Sequence, residues 1–161
     1  MTSRYGVRGA TELAATMRGL SSAPSALARR KARFAALAPV KAAAISNLEA
    51  NGSVETGALK QAQIIGDDPS GNKGRSVLGV KPGHFGKDNR QPVSYDHLVE
   101  FGTAPHWQPN RFGGIMHPGA RPKPYKRRAL EESSQLAIEA YRNSIAKDIA
   151  AAAERLRGRG R

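Results

Sequence analysis

Apolar residues recur at helical spacing over two long stretches of the chain and at strand spacing only in short ones. From Ser25 to Ala50, Leu27, Phe34, Leu37, Ile45 and Leu48 return near a 3.6-residue period. This predicts a long helix with one apolar face, Ser25 as its N-cap and Gly52 as its stop. Pro39 conflicts with that pattern, because a proline inside a helix removes a hydrogen bond and crowds the carbonyl four residues back. The expectation is a kink near Pro39, or two helices with Pro39 in the first turn of the second. The second long stretch runs from Lys126 to Leu156, where Ala129, Leu130, Ala137, Tyr141, Ile145, Ile149, Ala152 and Leu156 form a stripe spaced by three and four. A helix of that length spans roughly 45 Å, more than a domain of this size needs to cover its own sheet. Its far end, with Gly158 and Gly160 set between arginines, is expected to fray or to reach for a partner.

Between the helices the pattern is shorter and more broken. Thr56 is placed to cap a short helix opening at Gly57, and Ile64-Ile65 begin a strand. The stretch GDDPSGNKGRS, 66–76, reads as a hairpin loop. Gly66 and Gly71 have the separation of a phosphate-binding loop, but Asn72 intervenes before Lys73 and Gly74 stands where the hydroxyl should be, so the match fails. Residues 76–83 alternate as a strand, 81–92 form another loop, and Val93 to Phe101 suit a strand or a short helix ending at Gly102. Residues 102–124, dense in Gly and Pro, read as a long irregular loop, which in a small domain is usually functional. It holds Trp107, Phe112, Ile115 and Met116, expected to make subunit or partner contacts unless Trp107 folds back to close the core. The resulting layout is an N-terminal arm (1–24), a single α+β domain (25–157) with the 102–124 loop, and a basic tail (158–161). Its fold is a small antiparallel sheet flanked by the two long helices.

Composition changes this picture in three ways. Apolar residues make up 39% of the 161 and aromatics only 6%; much of the apolar content is Ala, so the core is expected to be small and part of the apolar surface to be buried between subunits. The absence of Cys excludes disulfides, thiolate metal sites and a Cys nucleophile, and suits folding in a reducing cytoplasm. No stretch approaches the roughly 18 apolar residues that span a bilayer, so neither a membrane segment nor an export signal is expected. The net charge of +13 is concentrated in the predicted helical ends, at Arg29-Arg30-Lys31-Arg33, at Lys126-Arg127-Arg128, and at Arg155, Arg157, Arg159 and Arg161. Such groups attract polyanions without reading sequence, or meet an acidic protein neighbour.

Residues able to do chemistry are present but not arranged for it. His84, His97, His106 and His117 contain no pair at the spacing of a helical zinc site. Asp96 and His97 are adjacent, which in a strand would turn them to opposite faces. A hydrolase built on His97, Glu100 and His106 would require a metal, and a nuclease would require clustered carboxylates that are missing beyond Asp67-Asp68. The expectation is a non-enzymatic protein without cofactor or metal.

The stretch YDHLVEFGT, Tyr95–Thr103, followed by a Pro-rich loop, by KPYKRRALEES at 123–133 and by a long terminal helix, resembles a family of phage morphogenesis proteins. These are the neck, head–tail connector or tail-completion proteins of long-tailed phages. The resemblance covers roughly residues 25–150 and includes the step Thr56-Gly57-Ala58-Leu59. Two departures stand out: the family's Pro in the last segment is replaced around Arg128, and the 102–124 loop is long. The resemblance implies a small α+β subunit assembling as a ring of six or twelve copies at the head–tail junction of the virion, built in the host cytoplasm. Its partners would be adjacent connector and tail proteins and packaged DNA. It also implies structural roles for Phe101, Gly102 and Thr103, with Phe101 anchoring the core, Gly102 permitting a backbone turn and Glu100 pairing with a basic neighbour. A nonspecific nucleic-acid-binding protein is the alternative.

Overall fold

Ser25 starts the first long helix as its sequence promises: its hydroxyl accepts the Ala28 N–H at 3.1 Å, and α1 runs from Ala26 to Ala50. The computed structural model describes residues 24–53, 56–85, 91–93, 95–109 and 114–159. The N-terminal arm therefore lies outside the described residues, except Pro24. Pro39 sits inside α1 without ending it, so the alternative of two helices does not hold; the cost is one backbone hydrogen bond, offset by packing on either side. The helix stops at Gly52, whose φ is +61°. There the Ser53 N–H reaches the Leu48 carbonyl at 3.0 Å and the Gly52 N–H reaches Glu49 at 3.1 Å, the paired bonds of a Schellman ending.

A short helix α2, Ala58–Ala62, leads directly into β1, Gln63–Asp67. Strand β2, Ser76–Val80, pairs antiparallel with β1, with Gln63 opposite Val80 and Asp67 opposite Ser76. Two further antiparallel ribbons follow: β3 (His84–Phe85) with β4 (Gln91–Pro92), and β5 (His106–Gln108) with β6 (Ile115–His117). Among the described residues the β structure is thus three two-stranded ribbons within an α+β fold. Between β4 and β5 lies helix α3, Asp96–Phe101, which resolves the open choice for 93–101 in favour of helix. The last helix, α4, extends from Lys126 to Arg159, about 51 Å at 1.5 Å per residue, and carries the expected basic tail on as helix as far as Arg159.

The core forms where the C-terminal half of α1, α2 and the start of α4 meet. Val40, Ala44, Leu48, Ala58, Leu59, Ala62, Val93, Tyr125 and Ala129 are buried together. Asn47 donates to the Tyr125 carbonyl at 3.4 Å and to Glu132 at 3.1 Å, and Lys123 donates to the Asn51 carbonyl at 3.0 Å. The start of α4 is thereby fixed to the end of α1, and the two helices, which pack extensively, run antiparallel. Hydrogen bonds from Arg128 and then Asn47 hold the Glu132 carboxyl below the usual range.

Helix α4 meets the rest of the protein through small residues. Ala129 and Ser133 are buried and Ala137 is half-buried, while Leu130, Leu136, Ile138, Tyr141 and Ile149 stay exposed. The stripe read from sequence is therefore only partly the packed face. Small side chains permit close approach of two helices, and the bulky neighbours one position away are left outside.

Tyr125 is the largest fully enclosed side chain among the described residues, and its hydroxyl accepts the Gln63 amide at 3.1 Å. Burial, the leading cause, pushes its pKa far above 10. A phenol that ionises more readily unfolded than folded contributes stability below pH 10 that is lost as pH rises beyond it. Urea midpoints are expected to fall between pH 10 and 12, and to fall less in Tyr125→Phe, which at pH 7 costs about 1 kcal/mol for the lost hydrogen bond.

Candidate functional site

The sequence VEFGT folds as a joint. Helix α3 ends at Gly102, whose φ of +74° and ψ of −174° belong to a region essentially confined to glycine. Past it, Thr103 and Ala120 exchange backbone hydrogen bonds at 2.9 and 3.1 Å, and Lys123 N–H reaches the Val99 carbonyl at 2.8 Å. The two backbones run so close that a Cβ on Gly102 would lie 2.5 Å from the Ala120 carbonyl oxygen, and one on Gly119 would lie 2.2 Å from that of Thr103. Thr103 adds its hydroxyl, which accepts the Ala120 N–H at 2.9 Å.

Glu100 is buried within this joint at 7% exposure. One carboxylate oxygen accepts the N–H groups of Tyr125 and Lys126, each at 2.9 Å, and the other accepts Arg127 N–H at 3.1 Å. The first N–H groups of a helix have no partner within it, and their dipoles favour an anion. The segment leading into α4, RPKPY, offers no Ser, Thr, Asp or Asn as a local cap. Glu100 supplies the cap from another helix. It does not pair with a basic side chain as expected; Asp96 does that, meeting the Lys126 ammonium at 2.6 Å. The placement of Phe101 in the core is also corrected: its ring is 64% exposed. A single turn of α3 can present only one face inward, and Tyr95, Val99 and Glu100 occupy it.

Residues 102–124 are not the irregular loop expected from their Gly and Pro content. The Thr103–Ala120 bridge closes the base of an arm whose described part is the β5–β6 ribbon. Trp107 opposes Met116, and with strand alternation these two share one face; they are 57% and 64% exposed. Ile115 is also exposed. Trp107 does not fold back into the core; its ring lies against Gly114, where a Cβ would come within 2.5 Å of it. Phe112 lies outside the described residues.

The opposite face of the ribbon carries His106, Gln108 and His117. The two imidazoles lie 5.1 Å apart. His106 donates from Nδ1 to the Ala104 carbonyl at 3.0 Å and accepts Gln108 at Nε2 at 3.1 Å. His117 accepts the Gly119 N–H at Nδ1 at 3.0 Å, so the ring proton of the neutral form sits on Nε2. These rings, with Ser53, Leu98, Val99, Ala120, Arg121 and Lys123, line a cleft of about 500 Å³.

A second cleft of about 480 Å³ lies between the start of α1 and the β1–β2 turn. Most of its charged groups are bonded within the chain. Arg30 forms a two-oxygen contact with Asp67 at 2.8 and 3.0 Å, and Arg33 donates to Ser76 and to the Lys73 carbonyl. Asp68 accepts Ser70 N–H, which holds its carboxyl below the usual range. Asn72 likewise accepts Gly74 N–H at 2.9 Å. The 66–76 loop, unlike a phosphate cradle, uses its own side chains to occupy these amides.

Among the described residues no group of three His, Cys, Asp or Glu is placed to hold a metal ion. Of the two carboxylates near His97 in sequence, Asp96 is committed to Lys126 and Glu100 to the α4 amides. Arg155 and Arg157 lie exposed near the end of α4, Arg157 against Glu154 at 2.9 Å. The side chain of Arg159 and residue Arg161 lie outside the described residues. No helix among these residues is long and apolar enough to cross a membrane. No family model, no curated protein and no solved structure matches the chain.

Proposed function

We propose that this chain is a structural virion protein of the phage neck, a ring-forming subunit that joins the connector to the tail or completes the tail end. The observation that carries this reading is that one chain exposes two unlike apolar surfaces. One is the Trp107–Met116 face of the ribbon, and the other is the Leu130, Ile138, Tyr141 and Ile149 side of α4. Two unlike surfaces on one subunit suit head-to-tail association, which closes into a ring when the rotation per subunit divides a full turn. The thin core fits a subunit that completes its burial against neighbours. The VEFGT segment on which the family resemblance rests supports a structural role, since the Glu100 carboxylate is spent on joining α3 to α4 and Thr103 on closing the arm at Ala120. Adjacent connector and tail proteins would be its partners, and the arginines at the end of α4 would face packaged DNA or an acidic ring.

The nonspecific nucleic-acid-binding alternative draws less support. Of the basic cluster on α1, Arg30 and Arg33 are bonded within the chain, and Arg29 reaches back to the Pro24 carbonyl at 2.8 Å. Light scattering after size exclusion of nuclease-treated protein tests the choice. A discrete oligomer of about six or twelve copies that persists from low to high salt is expected, because apolar contacts are not screened. Replacing both Trp107 and Met116 by Ser should shift it to monomer with unchanged helix content. A monomer at every concentration that binds duplex DNA tightly would favour the alternative.

A further inference from the structure

The cleft under the His-bearing face of the ribbon has a chemistry that neither the joint nor the ring contacts use. Leu98, Val99 and Ala120 give it an apolar floor, and His106, His117, Arg121 and Lys123 are its ionisable lining groups. Among the described residues no carboxylate lines it: Glu100 is turned to the α4 amides and Asp96 to Lys126. Donors stand without acceptors there. The Nε2–H of neutral His117 and the Arg121 guanidinium have no protein partner among the described residues. The buried hydroxyl oxygen of Ser53 is likewise unpartnered among them. A buried polar group without a protein partner is costly, and water or a ligand can supply one.

We infer that this cleft docks an acidic, partly apolar segment of another protein. Its carboxylates would meet Arg121, Lys123 and His117, and its apolar side chains would cover Leu98 and Val99. Charge selects this occupant over the chain's own segments. Residues 1–23 carry three arginines against one glutamate, and a second copy brings a net charge of +13; both would meet the cleft with like charge. The inference does not rest on the virion reading, since the ring contacts proposed above use the opposite face of the ribbon.

The test is fluorescence anisotropy of the full chain with a labelled peptide alternating leucine and glutamate, beside one alternating leucine and lysine. Saturable binding of the glutamate peptide alone is expected, weakening as salt rises from about 50 to about 300 mM. Arg121 is exposed and makes no hydrogen bond that the fold needs, so Arg121→Glu keeps the thermal midpoint while weakening binding about tenfold. Arg142→Glu, on the exposed side of α4, should leave affinity within about twofold. The proposal fails if neither peptide binds, if both bind equally, or if Arg142→Glu weakens binding as much as Arg121→Glu. It also fails if a short DNA duplex displaces the peptide and loses affinity in Arg121→Glu to the same extent, which would make the cleft a polyanion contact.

Discussion

Gly102→Ala is expected to be strongly destabilising, as is Gly119→Ala on the facing segment, where an added Cβ also meets backbone. Two independent costs meet at Gly102. The backbone conformation, φ +74° and ψ −174°, is closed to residues with a side chain at about 1–3 kcal/mol. The added Cβ would also press to 2.5 Å against the Ala120 carbonyl oxygen and 2.8 Å against the Pro122 nitrogen. Both are backbone atoms, so no rotamer change relieves the contact, and the paired segments 99–103 and 120–123 must separate. Against a typical domain stability of 5–15 kcal/mol, a loss of about 3 kcal/mol or more is expected. Gly52→Ala isolates the conformational part, because Gly52 also has positive φ, +61°, but nothing within 4 Å of an added Cβ; it should cost about 1 kcal/mol. Urea unfolding of the two variants measures the difference. Equal midpoints would mean that the two backbones do not approach as described.

Glu100→Ala should approach the same magnitude by a different route. The substitution removes one side chain and strands three backbone donors, those of Tyr125, Lys126 and Arg127, at the buried start of α4. Ordinary N-cap losses run near 1 kcal/mol, and hydrogen bonds to a charged acceptor are about twice as strong as neutral ones. A loss of about 2–4 kcal/mol follows, with reduced far-UV helix signal as the first turn of α4 frays. Glu100→Gln keeps one acceptor oxygen without the charge and should lose roughly half as much. Asp96→Asn, which touches only the part-exposed Lys126 ammonium, should lose less than about 1 kcal/mol. If Glu100→Ala cost no more than Asp96→Asn, the capping role would be wrong and the carboxylate would be free for other work.

Both variants act on the segment that the sequence singles out for a mixture of acid, aromatic and glycine. A carboxylate three residues from a histidine invites a catalytic reading, and the residues alone leave that open. The geometry gives Glu100 three amides to satisfy and leaves His97 on the other side of a one-turn helix. Phe101 shows the same limit. A lone aromatic between Glu and Gly looks like a core anchor, yet α3 is too short to bury more than one face.

What the sequence determines by itself is local. The reach of both long helices, the Ser25 cap, the Gly52 stop, the short helix after Thr56 and the β1–β2 hairpin all depend on residues within a few positions of one another. Periodicity and turn chemistry report such contacts directly. The tertiary structure decides everything that depends on pairs far apart in the chain. Glu100 caps a helix that starts some 25 residues later, Thr103 pairs with Ala120 and turns a Gly- and Pro-rich stretch into a ribbon, and α1 chooses the Ala129–Ser133–Ala137 face of α4 over the bulkier one beside it. The energies involved, a few hydrogen bonds and the close approach of small residues, are comparable to those of the alternatives. No local window of sequence contains both partners, so only the folded chain selects among them.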